Sequence, residues 1–320
     1  MKSSIFLINN PTAKKASDKK IARASHFLFS RGYDVEIFAT KQRGDAESLA
    51  REAIKKSPSL IIAAGGDGTI NEVINGIVGS EIPLAILPLG TTNVLAKELN
   101  IPETIRGALE IAVTKAPQSI SLGRIVQSPD FKNPPSPPFT KGRYDSRPMG
   151  MGGLINPSLV TRYFVLMAGI GFDGEAVFGI NETVKKFSGK GAYVYSGLKT
   201  LLTFNPGELT FDSDGKTYHG YSAIIGNAAK YGGNFKITPD ARLTDPFFYL
   251  CIFKGRKRVD ILKYLFGIVL GKHLRFKDIE YVKASAIEIQ GNTHVQIDGD
   301  YFGMTPVKVE IVTDILRLIF

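Results

Sequence analysis

Asp67 is the carboxylate whose neighbours in the sequence point to chemistry rather than to solvation. It lies in Leu60–Ile77, LIIAAGGDGTINEVINGI, which opens on an apolar run, Leu60 to Ala64, of the length and composition of a buried parallel strand. Gly65, Gly66 and Gly68 follow, and Ile70, Val73, Ile74 and Ile77 then recur at helical spacing. A strand, a glycine-rich turn and a helix start let open backbone N–H groups and the helix dipole hold a phosphate. Side chains in place of the glycines would keep the backbone away from the ligand oxygens. An acid in such a loop repels phosphate unless a cation or a proton-accepting role accounts for it. The combination therefore points to metal-assisted phosphoryl transfer. The plainer reading is a tight turn in which Asp67 or Thr69 caps the helix. On GGDG alone the two readings stand level.

Two further stretches shift the balance. Pro83–Leu95, PLAILPLGTTNVL, is a second apolar strand that ends in Gly90, Thr91, Thr92 and Asn93 before another helix. Ile5–Lys14, IFLINNPTAKK, is a strand that ends in an Asn-Pro turn. Three strands whose carboxyl ends carry small, polar loops describe one nucleotide cleft at the crest of a parallel sheet.

The elements that must position these loops follow from the pattern around them. Strands are expected at Ser4–Ile8, Tyr33–Ala39, Leu60 onward and Pro83 onward. Helices are expected at Asp18–Arg31, Asp45–Lys56, from Ile70, near Asn93–Leu99 and at Thr104–Lys115. This βα alternation predicts a parallel, doubly wound α/β domain over residues 1–117. From Gln118 the character changes. Ser119–Val126, Tyr163–Ala168, Gly207–Phe211, Lys216–Asn227, Phe247–Phe253 and Ala286–Gln290 read as strands of an antiparallel sheet or sandwich over residues 118–308. Gly169–Gly174, GIGFDG, leads toward helices over Glu175–Phe187 and Ala192–Phe204, and as a dinucleotide fingerprint it is a weak signal. His294–Ile297 and Val307–Ile311 bracket Asp298-Gly299-Asp300, a hairpin turn signal. The last run, Ile315–Phe320, is apolar to its end and is expected to be buried. Val259–Leu270 is an apolar helix rimmed by Arg256, Lys257, Arg258, Lys272, His273, Arg275 and Lys277. Such a helix can lie on a membrane, but packing against the sheet is the expectation, with Asp260 and Lys263 its only internal charges. Ser128–Ser158 holds seven prolines and little periodicity, and it is read as a disordered insert in a hairpin loop without a catalytic role.

Composition bounds the class. The chain has 320 residues, 43% hydrophobic and 22% charged, as in ordinary globular proteins with room for two cores. Cys251, the only cysteine, lies in an apolar run, so no disulfide forms within one chain, as in a reducing cytoplasm. No run approaches the roughly 20 apolar residues that span a bilayer. The net charge of +10 attracts anionic lipid headgroups or nucleic acid, or merely aids solubility. Nothing resembling a nucleic-acid motif accompanies it, so a lipid surface ranks first.

GGDGTINEVINGI, NNPTAKK, LPLGTTN and the late DGD together closely resemble the diacylglycerol-kinase-like lipid kinases of bacteria, a family that includes sphingosine and ceramide kinases. The likeness covers nearly the whole chain apart from the insert. Its nucleotide domain is also similar to that of NAD kinases, which share GGDGT. The resemblance implies ATP and Mg²⁺ as cofactors, and a membrane lipid such as diacylglycerol as acceptor at a peripheral membrane surface. It implies C-terminal strands, residues 309–320, that return to the nucleotide domain. It places ATP against Asn10, Pro11, Thr12, Ala13, Lys14 and Thr40. The N–H groups of Gly65, Gly66, Asp67, Gly68, Thr69, Ile70 and Asn71 would cradle its phosphates, with Thr91 and Asn93 from the neighbouring loop. It gives Asp300 the role of general base, assisted by Asp67, and sets GIGFDG along an inter-domain cleft. A structural Mg²⁺ site would use Asp245 with the carbonyls of Arg242 and Phe247.

The chain departs from the family pattern at several of these positions. Lys14 replaces a glycine, and its ammonium can meet phosphate. Asp300 stands for a glutamate and reaches about 1.5 Å less far, a displacement that can cost ~100-fold in rate unless the loop comes closer. Ser121 and Val94 stand where relatives carry aspartates, and Pro246 follows Asp245 in place of glycine. Without the resemblance, Asp298 and Asp300 read as a plain hairpin turn. The runners-up are a long-chain-base kinase, an NAD kinase, and a nucleotide- or lipid-binding module with little catalysis. The oligomeric state, a homodimer included, stays open.

Overall fold

The computed structural model describes residues 3–127, 160–178 and 206–320. The proline-rich insert and most of the two helices expected over Glu175–Phe187 and Ala192–Phe204 lie outside them. The chain forms two compact units, Met1–Leu122 with Lys230–Asn234 and Val312–Phe320, and Gly123–Ala229 with Phe235–Ile311.

In the first unit, strands β1 (Ser4–Asn9), β2 (Asp34–Ala39), β3 (Leu60–Gly65) and β4 (Leu84–Pro88) alternate with helices α1 (Asp18–Ser30), α2 (Asp45–Lys55), α3 (Asp67–Ile77), α4 (Val94–Glu98) and α5 (Ile105–Thr114). The strands lie parallel in the order β2-β1-β3-β4. Every residue of β3 and β4 is buried, and each buried Ile, Leu or Val side chain contributes about 1.5–3 kcal/mol. The edge strand β2 is largely exposed, with Asp34 and Glu36 facing water. Right-handed crossovers set α1 on one face and α2 and α3 on the other. Consistent with this, α2 packs on α3 and α1 on α5. The contact of α2 with α3 depends on Gly76, where a Cβ would come within 2.6 Å of the Glu47 carbonyl. Since β1 leads outward to β2 while β3 leads to β4, the strand order reverses between β1 and β3. That is where an open α/β sheet binds ligands.

The second unit is a sandwich. It begins within β5 (Pro117–Gln127), which pairs antiparallel with β6 (Val160–Phe164) from Gly123↔Phe164 to Gln127↔Val160. Then come β7 (Met167–Ile170), α6 (Phe172–Phe178), β8 (Leu209–Ser213), β9 (Lys216–Gly220), β10 (Ser222–Gly226), the two-residue strands β11 (Lys230–Tyr231, in the first unit) and β12 (Phe235–Lys236), and β13 (Phe248–Phe253). Helix α7 (Arg258–Val269), a 3-10 turn at His273–Arg275 and β14 (Ile279–Ala284) follow. The last strands are β15 (Ala286–Gln290), β16 (His294–Ile297), β17 (Asp300–Met304) and β18 (Val307–Ile319). One sheet runs β14-β13-β10-β7-β16-β17, and β15, β8, β9 and the first half of β18 belong to the other. Phe164, Phe211 and Phe248 are fully buried in the core between the sheets. The rings of Phe164 and Phe248 stack at 5.9 Å.

Several sequence expectations are corrected here. Lys216–Asn227 is two strands of two different sheets. The chain turns the corner at Gly220, where a Cβ would overlap Ile252, and Tyr221 N–H bonds the Phe253 carbonyl at 2.9 Å. The run Tyr163–Ala168 is likewise broken at Val165-Leu166. Ile315–Phe320 forms the end of β18, which runs without a break from Val307 to Ile319. That end lies in the first unit, where Leu318 pairs with Leu84 of β4, and it is buried as expected apart from exposed Arg317 and half-buried Phe320. Helix α7 buries Ile261, Tyr264 and Gly267, yet it leaves Val259, Leu262, Leu265, Phe266 and Val269 exposed. It is therefore apolar on two faces, one of them covered by β12, the 3-10 turn and Phe253 at the end of β13.

The break at Val165-Leu166 has a specific cause in Asp298. Its Oδ2 accepts the N–H of Val165 at 2.8 Å, and its Oδ1 accepts those of Leu166 and Met167 at 2.9 and 3.0 Å. Asp298 N–H in turn bonds the Met167 carbonyl at 3.0 Å. Hydrogen bonds to a charged acceptor contribute about 1.5–3 kcal/mol each, and unmade ones leave buried donors unsatisfied. Asp298→Ala should therefore destabilise the second unit by about 3 kcal/mol or more, and Asp298→Asn by less, since one oxygen remains. Urea unfolding of the two variants checks both the size and the order.

Candidate active site

In the first unit the loops at the carboxyl ends of β1, β3 and β4 are locked to one another. Asn10 N–H donates to the Ala64 carbonyl at 2.9 Å, and its Nδ2 donates to Thr69 Oγ1, also at 2.9 Å. Its Oδ1 accepts both the N–H and the hydroxyl of Thr12, at 3.0 and 2.8 Å. The Asn10–Lys14 turn is thus tied to β3 and α3 by a single residue, through its backbone N–H and its side chain. Pro11, Thr12 and Lys14 are exposed and Ala13 is half-buried, while Thr40 is buried with its N–H on the Asn9 carbonyl at 2.9 Å.

Gly65 and Gly90 are required by close approach. A Cβ on Gly65 would lie 2.6 Å from Thr69 Cβ, and one on Gly90 would lie 2.5 Å from Gly66 Cα. The β3 and β4 turns therefore touch backbone to backbone. A Cβ on Gly68, by contrast, would meet nothing within 4 Å, so the start of α3 opens to solvent. Gly66 is the N-cap and no side chain caps this helix, which leaves the N–H groups of its first turn for a ligand. Ile70, expected in that cradle, does not belong to it. Its N–H bonds the Gly66 carbonyl at 3.0 Å as the first rung of the helix, and its side chain is buried. Asn71 lies one residue further into the helix, where its Oδ1 and backbone carbonyl accept from Asn75 Nδ2. That leaves Asp67, Gly68 and Thr69 at the uncapped helix start.

Asp67 and Asn93 also hold the turns. Asn93 is fully buried in a left-handed conformation, φ 48°, and its Oδ1 accepts the Gly90 N–H at 2.9 Å. Its Nδ2 donates to the Gly90 carbonyl and to Glu103, at 3.2 and 3.3 Å. Its place is to shape the turn that carries the exposed Thr91. Asp67 Oδ1 accepts the Leu95 N–H at 3.3 Å, so it caps α4 from outside. Burial raises its pKa above the usual carboxylate value, against the lowering pull of the Leu95 and Val94 N–H groups. Val94 is buried, as is Ser121.

In the second unit Asp298 and Gly299 form the turn between β16 and β17 with φ 49° and 84°, as a two-residue hairpin requires. Asp300 opens β17 opposite Ile297 and is half-buried. Sequence reasoning missed the residues that fix this turn. Gln296, almost fully buried, accepts the Gly299 N–H at its Oε1 at 2.7 Å and donates from Nε2 to Asp173. The signal was available, since a buried glutamine in HVQI needs partners. Gly169 and Gly174 of GIGFDG let this contact form, because a Cβ at either would overlap Asp173 and Gln296, or the His294 backbone. Beside it, His294 Nδ1 lies 3.0 Å from the Tyr301 hydroxyl and its Nε2 lies 3.6 Å from Glu175, with the Phe178 ring stacked at 4.2 Å. Burial lowers the His294 pKa and pushes that of Tyr301 up to about 12.

Arg242, Asp245 and Phe247 share one turn before β13, where the Asp245 N–H bonds the Arg242 carbonyl at 3.0 Å. A carboxylate and two carbonyls are hard oxygen donors that suit Mg²⁺. Among the described residues no cluster of three or more His, Cys, Asp or Glu side chains stands ready for a metal.

Residues 4–125 match the diacylglycerol kinase catalytic domain, and residues 167–320 match the YegS C-terminal NAD kinase beta sandwich-like domain. The chain is 30% identical to a diacylglycerol kinase of Bacillus subtilis (strain 168), over 94% of this chain and 90% of that one. It is 28% identical to a diacylglycerol kinase of Staphylococcus aureus (strain MRSA252), over 96% and 89%. The crystal structure of a diacylglycerol kinase from Bacillus anthracis str. Sterne shares the fold, with TM-score 0.67 and 21% identity, over 99% of this chain and 97% of that one. With both domain types in sequence order and the glycine turns at the sheet's switch point, the chain belongs to the diacylglycerol-kinase-like family of bacterial lipid kinases.

Proposed function

We propose that this protein transfers the γ-phosphoryl group of ATP to the hydroxyl of diacylglycerol or a related lipid held in a membrane. The observation that carries this reading is the uncapped start of α3, open at Gly68, at the point where the strand order reverses. In it the N–H groups of Asp67, Gly68 and Thr69 hold phosphate oxygens, and Asn10–Lys14, Thr40 and Thr91 line the nucleotide. The Lys14 ammonium supplies positive charge toward the phosphates. Asp300 accepts the proton of the lipid hydroxyl as its oxygen bonds to the γ-phosphorus, and the bridging oxygen leaves with ADP. Gln296 and Asp173 act as positioning residues that hold the Asp300 turn. Mg²⁺, when bound, would neutralise charge on the phosphate oxygens, with Asp67 as the carboxylate nearest the cradle. A second ion would be structural, on Asp245 and the carbonyls of Arg242 and Phe247.

A single assay tests the reaction. Purified protein, radiolabelled ATP and a lipid extract should give a labelled lipid on thin-layer chromatography, whose identity names the acceptor. Asp300→Asn should lower the rate by about 10²–10⁴, and Asp300→Glu should retain activity. Tight ATP binding with no label in lipid, in NAD or in a sphingoid base would leave a binding module instead. One observation favours that second reading: the Asp67 carboxylate is already engaged by the start of α4.

The raised pKa of Asp67 gives a separate test. A carboxyl whose folded pKa lies above its unfolded value costs stability at neutral pH, and the cost disappears as pH falls below the unfolded value. Asp67→Asn should therefore melt at or above the wild-type temperature at pH 7 while losing phosphoryl transfer. The difference in melting temperature should close as the pH approaches 4, near the ordinary aspartate value of 3.8. A variant less stable than wild type at neutral pH would show that capping α4 outweighs the burial.

A further inference from the structure

We propose that the outward face of α7 docks the protein on an anionic lipid bilayer, with the helix lying in the plane of the headgroups. Val259, Leu262, Leu265, Phe266, Val269 and Leu270 are 72, 50, 43, 66, 58 and 51% exposed. At helical spacing they fall on one arc of roughly 140°, opposite the buried Ile261, Tyr264 and Gly267. Six contiguous large apolar side chains in water mark an interaction surface rather than the scattered exposure normal for a monomer.

Charge identifies the occupant. Arg256, Lys257 and Arg258 precede the arc and Lys272, Arg275 and Lys277 follow it, and all six are exposed. The acids nearest in sequence already have partners. Asp260 accepts the Lys257 N–H at 2.9 Å, Asp278 holds Lys263 and Tyr264, and Glu280 pairs with Lys254 at 2.6 Å. The helix is therefore a strip about 18 Å long, apolar along its middle and positive at both ends. An anionic bilayer complements that pattern, with acyl chains for the middle and headgroups for the ends. A second copy does not, since pairing two such helices in either direction sets one positive cluster against another. The proposal rests on the lipid-kinase reading only for the kind of partner.

The test is vesicle sedimentation of the full chain without ATP, on phosphatidylcholine vesicles with and without phosphatidylglycerol. Wild type should bind those that contain phosphatidylglycerol. The double variant Leu262→Ser/Phe266→Ser should bind about ten-fold or more weakly. Replacing Arg256, Lys257 and Arg258 by Gln should weaken binding by about five-fold per charge. All these side chains are exposed, so thermal melts should stay unchanged. Cys251 is buried and its thiol is pushed up to about 12, so Phe266→Cys accepts an environment-sensitive dye at one site. Its emission should shift blue on contact with the vesicles. Wild type that ignores phosphatidylglycerol, variants that bind as wild type does, or a dimer in light scattering that Phe266→Ser splits would each overturn the proposal. Vesicle binding by a protein that phosphorylates no lipid would sink the kinase reading and leave this surface standing. Variants that lose vesicles should still act on a short-chain diacylglycerol dispersed in water.

Discussion

The contact on which the first unit depends is that of the Gly66 backbone with the Gly90 backbone. No side chain fits between them, since a Cβ on Gly90 would stand 2.5 Å from Gly66 Cα. This approach lets Asn93 close its turn on Gly90 and brings the Leu95 N–H to Asp67. On the other side Asn10 ties the β1 turn to Thr69. Three loops that would otherwise move separately become one crest held by short polar links. A phosphate site built from backbone N–H groups needs that rigidity, because donors already in place lose little freedom when the ligand arrives.

The second unit uses polar side chains in the same way. Asp298 takes three backbone N–H groups of the chain between β6 and β7, and Gln296 links Asp173 to the Gly299 N–H. Each joins segments more than a hundred residues apart in sequence. Of the two acids of the DGD turn, Asp298 is the internal one, and its contacts leave its neighbour Asp300 at the head of β17 in a fixed backbone. The motif thus divides into a residue that builds the turn and a residue that the turn presents.

These differences mark what a sequence can disclose. The βα alternation and the three glycine or asparagine turns were readable because periodicity and small residues are local properties. The break of Tyr163–Ala168 was not, because its cause, Asp298, lies 131 residues from Met167. The corner at Gly220 was hidden for a related reason. Strand-like residues run through Lys216–Asn227 without a turn dipeptide, and the strand pairing with the packing of Ile252 shows that the two halves belong to different sheets. Ile70 was misplaced because a glycine turn does not show where the first helical hydrogen bond falls.

Helix α7 shows the limit of periodicity most clearly. A helix apolar on two faces satisfies a buried reading and a surface reading equally, and its few charges do not separate them. What decides its orientation is Gly267, the one position on the inner face where a Cβ would overlap the Phe276 ring. That glycine lets the helix sit close against the turn at His273–Arg275, and with this face inward Leu262 and Phe266 must point out. Exposing such residues costs solubility, and the six lysines and arginines at the two ends of the helix offset that cost by keeping the surface charged. For a protein whose relatives are kinases of a membrane lipid, the cost has a use, because a face that water leaves unsatisfied is one that a bilayer can cover.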